Sequence, residues 1–346
     1  FHHPSLPTNK LGFTRRDYEG SMTTLCAGCG HDSITAAIIQ AFWELDIAPH
    51  TVAKLSGIGC SSKTPAYFLK EAHGFNSVHG RMPAIATGAG AANGTLTMIG
   101  VSGDGDSLSI GLGQLCHAIR RNVNMLYVLE NNGVYGLTKG QFSASSDVGS
   151  KSKRGEANAQ PPIDPVLLAL TLGATFVARG FSGNKAQLVP ILKAGLLHRG
   201  FALIDIISPC VTFNDHEGST KSYRYTREHD HDLAPVDFVP LTKEIAVPNG
   251  NGTADSPVSV TMHDGSVVRF RAVGADHDPT DREAAYAHVR ACQKRGEVVT
   301  GLLFLDPGTP DMHGLNETVA TPLVDLPFAE LCPGSAALQE LQEEFR

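Results

Sequence analysis

Between about residues 30 and 207, stretches with helical periodicity alternate with short, continuously apolar runs. Residues 33–46 (SITAAIIQAFWELD) predict an amphipathic helix that begins near His31 or Asp32. TVAKLS (51–56) reads as a short buried strand. AIATGAGAANGTL (84–96) reads as a small-residue helix suited to close packing, and TMIGVS (97–102) as a second strand. SLSIGLGQLCHAIRRN (107–122) predicts a helix with Arg120 and Arg121 in its last turn, where the helix dipole favours cations. NMLYVLEN (124–131) is a third strand. Residues 138–164 are polar and rich in Ser, Gly and Pro; a loop this long inside a domain is usually functional or mobile. Then DPVLLALTLG predicts a helix, ATFVAR a strand, KAQLVPILKAGLLH a helix and FALIDIIS (201–208) a strongly apolar strand. Apolar strands alternating with helices predict the α/β class, a parallel sheet covered by helices on both faces.

Beyond residue 210 the pattern changes. Residues 211–250 are irregular and rich in His, Asp and Pro. VSVTMHDGSVVRF (258–270) predicts a hairpin turning at His263, Asp264, Gly265 and Ser266. A helix over 281–296 and a strand over 298–306 follow, and the last forty residues read as a tail that wraps a partner. The expected organisation is an arm over 1–24, an α/β domain over 25–210, and an irregular extension over 211–346.

Composition narrows the classes. Apolar residues make up 42% and charged residues 18%, which excludes a disordered chain. A net charge of −7 and a pI near 6.1 argue against a nucleic-acid partner. No apolar run is long enough to span a membrane, and the first residues carry no signal-type stretch, so a cytoplasmic location is expected. The 7 cysteines lie at 26, 29, 60, 116, 210, 292 and 332, an odd number that favours reduced thiols or a metal site over a disulfide framework.

Two loops carry candidate chemistry. Gly103-Asp104-Gly105-Asp106 follows one strand directly, and Glu130-Asn131-Asn132-Gly133-Val134 follows the next. The 25 residues between Gly105 and Asn131 hold one helix and one strand, so a right-handed crossover brings both loops to the same carboxyl edge. Glycines beside Asp104 let a phosphate approach backbone N–H groups, and Asp104 with Asn132 offers the hard oxygens that suit Mg²⁺. A lone GDG is most often an ordinary strand–helix turn with Asp as a cap; the pair at this spacing displaces that reading. Cysteine supplies a third constellation: Cys26 and Cys29 in LCAGCGH, Cys60 in GIGCSSK, and Cys210 in SPC. Four thiolates bind either structural zinc or an iron–sulfur cluster, and this spacing fits both. Cys116, Cys292 and Cys332 read as small core or surface residues. His216, His229 and His231 read as a solvated loop, since their spacing fits no ligand set.

GDG followed some 25 residues later by NN resembles the thiamine diphosphate enzymes. That resemblance implies Mg²⁺ held by Asp104, Asn132 and the carbonyl of Val134. It also implies a diphosphate against Gly103, Gly105 and Asp106, helped by Gly136 and Leu137. The ordered set CAGCGH, GIGCSSK, HGR, GDGD, NNGVYGLTKGQ and SPC resembles the β subunits of 2-oxoacid:ferredoxin oxidoreductases over about residues 25–215; LDPGTPDMHGLNET adds to the likeness. The resemblance implies one [4Fe–4S] cluster on Cys26, Cys29, Cys60 and Cys210. It places Ile58, Gly59, Cys60, Ser61, His79, Gly80 and Arg81 around the cofactor, with Lys63, Lys139 and His31 as candidate catalytic groups. The lysines would face the carboxylates of a dicarboxylate such as 2-oxoglutarate. The implied reaction is a reversible, coenzyme A-dependent oxidative decarboxylation that delivers electrons to ferredoxin. Pyruvate or a broad 2-oxoacid range is the nearest alternative, and a non-oxidative thiamine decarboxylase with structural zinc a more distant one. Because the chain shows one thiamine-type domain, an α subunit should supply the pyrimidine-binding domain and its activating Glu. A second β subunit should complete the assembly, and the isolated chain should be inactive.

Overall fold

The protein is described here by a computed structural model covering residues 6–152, 155–212, 257–261, 267–274 and 276–346. The irregular 211–250 region beyond Thr212, the histidines at 216, 229 and 231, and the turn at 263–266 lie outside the described residues.

The strands are β1 (Val52–Ser56), β2 (His73–Asn76), β3 (Thr97–Gly103), β4 (Met125–Asn131), β5 (Val134–Tyr135), β6 (Gln141–Phe142), β7 (Phe176–Phe181), β8 (Phe201–Ile207), β9 (Val258–Thr261), β10 (Val267–Ala272) and β11 (Glu297–Leu305). Nine of them form one sheet in the order β2-β1-β3-β4-β8-β7-β11-β10-β9, and β5 pairs with β6 as a small separate hairpin. From β2 to β7 every pairing is parallel. The central strands are buried along almost their whole length, because helices cover both faces. Helices α1 (Gly30–Glu44) and α5 (Lys185–Leu197) pack together over one face, around Ile34, Ile38, Phe42, Leu188 and Leu192. On the other face lie α2 (Met82–Ala92), α3 (Leu112–Arg120), α4 (Pro165–Leu172) and α6 (Arg282–Lys294).

The sequence DPVLLALTLG encodes both ends of α4. The Asp164 carboxylate accepts from Val166 N and Leu167 N at 2.8 and 3.0 Å, Pro165 takes the first helical position, and Gly173 closes the helix at φ 85°. The expected small-residue helix starts earlier and ends at Ala92, two residues before Gly94. The expected helix over 107–122 is interrupted: a π-helical turn, Gly105–Ile110, precedes α3.

The boundary expected at residue 210 does not close the sheet. β11 pairs antiparallel with β7, β10 lies parallel to β11, and β9 antiparallel to β10, so these three strands continue the same layer. The physical reason is β7, a fully buried strand whose backbone groups on the side away from β8 need a paired neighbour. The tail anchors once more: Asn122 O accepts from Met312 N at 2.9 Å, and Asn122 Nδ2 donates to Pro310 O at 3.0 Å. Beyond it Phe328, Leu331, Leu338, Leu341 and Phe345 are exposed.

A buried ion network locks β7, β8 and α4. Arg179 Nε donates to Asp205 Oδ2 at 2.7 Å, and its Nη2 to Asp164 Oδ1 at 2.8 Å. Burial opposes ionisation of Asp164, but the Arg179 charge and the two capping amides outweigh it and hold the carboxyl below its usual range. A carboxyl depressed in the folded state contributes stability that is complete above the unfolded value near 3.8 and is lost as pH falls through the lower folded value. Arg179→Met should therefore cost about 3–5 kcal/mol in denaturant unfolding at pH 7 by leaving two buried carboxyls unpaired. It should also flatten the fall in stability below about pH 4.

Candidate active site at the carboxyl edge of the sheet

Parallel pairing sends the loops after β1, β2, β3, β4 and β8 to one edge. These loops carry Gly57–Cys60, His79–Arg81, Gly103–Asp106, Asn131–Val134 and Ser208–Cys210. The N-terminus of α1 arrives there too, with Cys29 as its N-cap residue and Gly30 N 3.4 Å from Pro209 O. All the expected motif loops thus meet at one place.

Asp104 sits at the centre of the diphosphate-type half. It is 1% exposed, and its carboxylate accepts from Ser143 Oγ, from Ser145 Oγ at 2.6 Å and from Asn132 N at 3.4 Å. Burial pushes its pKa upward, against these donors. Asn132 Oδ1 accepts from Val134 N at 3.1 Å, and Tyr135 Oη donates to Gly105 O at 2.9 Å. A buried carboxylate beside an amide oxygen and a turn carbonyl is a donor set for a hard divalent cation, so the residues fit Mg²⁺.

The Asp106 side chain is engaged within the protein. Its Oδ1 accepts from Gly80 N at 2.7 Å and its Oδ2 from Ser102 Oγ at 2.8 Å, while Ser107 Oγ links Ser102 Oγ to Tyr127 Oη. The carboxylate staples the loop after β2 to the loop after β3, which leaves the backbone amide as what Asp106 can offer a phosphate. Gly57 makes this approach possible: a Cβ there would stand 2.2 Å from Asp106 Oδ2 and 2.6 Å from Ser102 Oγ.

The cysteine half lies beside it. Cys29 is pushed well above the ordinary thiol range by burial, with Cys210 and Glu130 adding to the effect. Cys60 is pushed up to about 11, first by burial and then by Cys210 and Cys26, with Lys63 opposing. Cys210 thus acts on both Cys29 and Cys60, and Cys26 on Cys60, across three loops. Loops that bring four cysteines to one sheet edge offer soft donors for a metal centre, whose binding would draw the protons off.

His31 does not stand where a catalytic group would. It is 1% exposed, its Nδ1 lies 2.6 Å from Ser208 Oγ and 3.4 Å from Glu130 Oε2, and burial lowers its pKa to about 4. Its ring is sealed beneath the cysteine loops, because α1 begins at Gly30 and turns the side chain into the protein. Lys63 is at the surface, with Nζ 3.4 Å from Thr24 Oγ1. Lys139 is exposed and held at φ 79°, a left-handed position that a lysine rarely adopts. His79, Arg81 and Leu137 are exposed at the rim, and Gly80 and Gly136 are buried. Ile58, Gly59 and Ser61 line the turn into the cysteine loop, where Ser61 Oγ donates to Ile58 O at 3.4 Å. Sequence reasoning missed Ser143, Ser145, Thr64, Glu130 and Ser208. Single hydroxyls in a polar stretch give no signal, although Glu130 is a charged residue closing an apolar strand and could have been singled out.

This fold and these loops define a thiamine diphosphate-binding α/β domain. Residues 57–206 match the family "Thiamine pyrophosphate enzyme, C-terminal TPP binding domain". Over 220 residues the chain is 42% identical to the 2-oxoacid:ferredoxin oxidoreductase subunit beta of Saccharolobus solfataricus, spanning 63% of this chain and 71% of that one. It is 46% identical over 191 residues to the 2-oxoglutarate oxidoreductase subunit KorB of Mycobacterium tuberculosis, 55% of this chain and 51% of that one. It also resembles the solved 2-oxoglutarate:ferredoxin oxidoreductase from Magnetococcus marinus with 2-oxoglutarate, coenzyme A and succinyl-CoA bound, at TM-score 0.70 and 30% identity over 91% of this chain and 92% of that one. The chain belongs to the β subunits of the 2-oxoacid:ferredoxin oxidoreductases.

Gly57→Ala should lower stability by about 1–3 kcal/mol, since overpacking must displace Asp106 or Ser102. In an αβ complex the same substitution should weaken thiamine diphosphate binding, read as a smaller rise in Tm on adding the cofactor with Mg²⁺.

Proposed function

We propose that this β subunit, with an α subunit, catalyses the reversible coenzyme A-dependent oxidative decarboxylation of 2-oxoglutarate and passes electrons through one [4Fe–4S] cluster to ferredoxin. The observation that carries the reading is the meeting, at one sheet edge, of the Asp104 and Asn132 loops with the three loops that bear Cys26, Cys29, Cys60 and Cys210. Relatives named for 2-oxoglutarate, and a neighbouring structure holding 2-oxoglutarate and coenzyme A, support the substrate. Among the described residues, no three His, Cys, Asp or Glu side chains converge tightly enough to hold a single metal ion.

In this reading Cys26, Cys29, Cys60 and Cys210 ligate the cluster. Asp104, Asn132 and the Val134 carbonyl hold Mg²⁺, and the Gly105 and Asp106 amides face the diphosphate with help from Gly136 and Leu137. When bound, thiamine diphosphate supplies the electron sink for loss of CO₂, and the cluster a one-electron outlet. The chain's own part is to position and to neutralise. Lys63 and Lys139 receive the substrate carboxylates, His79 and Arg81 line the rim, and the buried loops exclude the water that would protonate the decarboxylated substrate. The α subunit brings the activating Glu, and a second β completes the assembly. Residues 25–210 carry both centres, while the part that follows packs on this domain and, through the exposed apolar side chains of the tail, on partner subunits. No described helix is long and apolar enough to cross a membrane, and the proposed site of action is the cytoplasm, where the ferredoxin partner is reduced.

Substrate-profiled viologen reduction by the anaerobic αβ complex tests the reading. 2-Oxoglutarate should give the highest kcat/KM; a higher value for pyruvate would reassign the substrate. Lys139→Ala should raise the KM for 2-oxoglutarate about tenfold or more with kcat less affected, as expected on losing a charged hydrogen bond. Asp104→Ala should abolish the cofactor-dependent rise in Tm while leaving the iron content intact.

A further inference from the structure

The three loops that bear the cysteines each send one side chain into a single buried knot. Thr64 stands four residues after Cys60, His31 two after Cys29, and Ser208 two before Cys210. Two of them meet Glu130, which is fully buried at the end of β4 and stands two residues before Asn132, and Ser208 joins through His31. Thr64 Oγ1 donates to Glu130 Oε1 and Oε2 at 3.3 and 3.1 Å. His31 Nδ1 lies 3.4 Å from Glu130 Oε2 and 2.6 Å from Ser208 Oγ. Ser208 N in turn donates to Asn131 O at 2.8 Å, which closes the circuit back to the loop that holds Asn132. Gly30 leaves the room the knot needs, since a Cβ there would fall 2.6 Å from Ser208 Oγ and 2.8 Å from Ser182 Oγ.

A carboxyl at this place needs a reason. Glu130 is fully buried, and its carboxyl oxygens accept from Thr64 and face His31. An apolar residue would fill the end of a buried strand with no such demand. What the carboxyl does that an apolar side chain cannot is tie hydroxyl and imidazole groups from separate loops to one point. Partners of this kind, one bond removed from the ligands, fix where ligands stand.

We propose that Glu130 is a positioning residue: with Thr64, His31 and Ser208 it fixes the three cysteine loops in register with one another and with the Asn132 loop, and so sets the geometry of electron transfer from the cofactor site to the cluster. The inference rests on the cluster assignment above. Its test compares wild-type αβ complex with Glu130→Ala, Glu130→Gln, Thr64→Val and Ser208→Ala. Four readouts are taken: iron content, the EPR signal and midpoint potential of the dithionite-reduced cluster, Tm, and viologen reduction. Glu130→Ala should alter the EPR signal and the potential and slow turnover about 10–100-fold. Glu130→Gln, which keeps the hydrogen-bonding shape, should restore most of both. Thr64→Val and Ser208→Ala should shift the signal in the same direction by smaller amounts, and they decide the matter if Glu130→Ala fails to fold. Iron-loaded variants with an unchanged signal and potential, and only a lowered Tm, would overturn the inference while leaving the cluster assignment standing. Wild type without an iron–sulfur signal would overturn both.

Discussion

The register of β4 between β3 and β8 is the constraint on which the site depends. Gly103 pairs with Glu130, and Asn131 pairs with Ile207. One residue further along each strand, the chain reaches Asp104, Asn132 and Ser208. A slip of a single residue would turn Glu130 out of the interior and swing Asn132 away from Asp104, because alternate strand residues face opposite sides of the sheet. That register is held by buried apolar side chains on both faces, Val128 and Ile204 against α1 and α5, and Tyr127 and Leu203 against the helices opposite. The hydrophobic core therefore performs the first act of positioning, and hydrogen bonds refine it.

Two kinds of polar device finish the arrangement. Asp106 draws Gly80 and Ser102 together by accepting hydrogen bonds. Asn131 is anchored from below by Asp205 at 3.0 Å, Asp205 by Arg179, and Arg179 by Asp164, whose other oxygen accepts from Gln293 Nε2 of α6 at 2.6 Å. Helix α6 thus supports the Asn131–Val134 loop through a line of charged and polar partners. The one guanidinium lies between the two carboxyls, so part of the desolvation cost of burying them is offset.

Much of this was legible in the residues. Continuous apolar runs such as FALIDII mark parallel strands because nothing else buries both faces of a strand, and CAGCGH, GIGC, GDGD and NNGVYG mark their loops because backbone must come close to sulfur or phosphate. Other parts left no pattern. β2, with the sequence HGFN, is an exposed edge strand that lacks apolar alternation. The π-helical turn after Asp104 reads as ordinary helix, since its side chains keep near-helical spacing. Thr64, Glu130 and Ser208 are separated by 66 or more residues and become partners only through the sheet order. His31 looked catalytic from its place beside CxxC, yet the direction of α1 buries it.

The account's central claim is that one β subunit holds the cluster and the cofactor loops close enough for direct electron transfer. Mixing the anaerobic αβ complex with 2-oxoglutarate and freezing it for EPR tests this most directly. The account predicts that the reduced-cluster signal grows on mixing with substrate, and that it is lost in Cys60→Ser. Substrate-dependent CO₂ release with no cluster signal in the wild-type complex would contradict it.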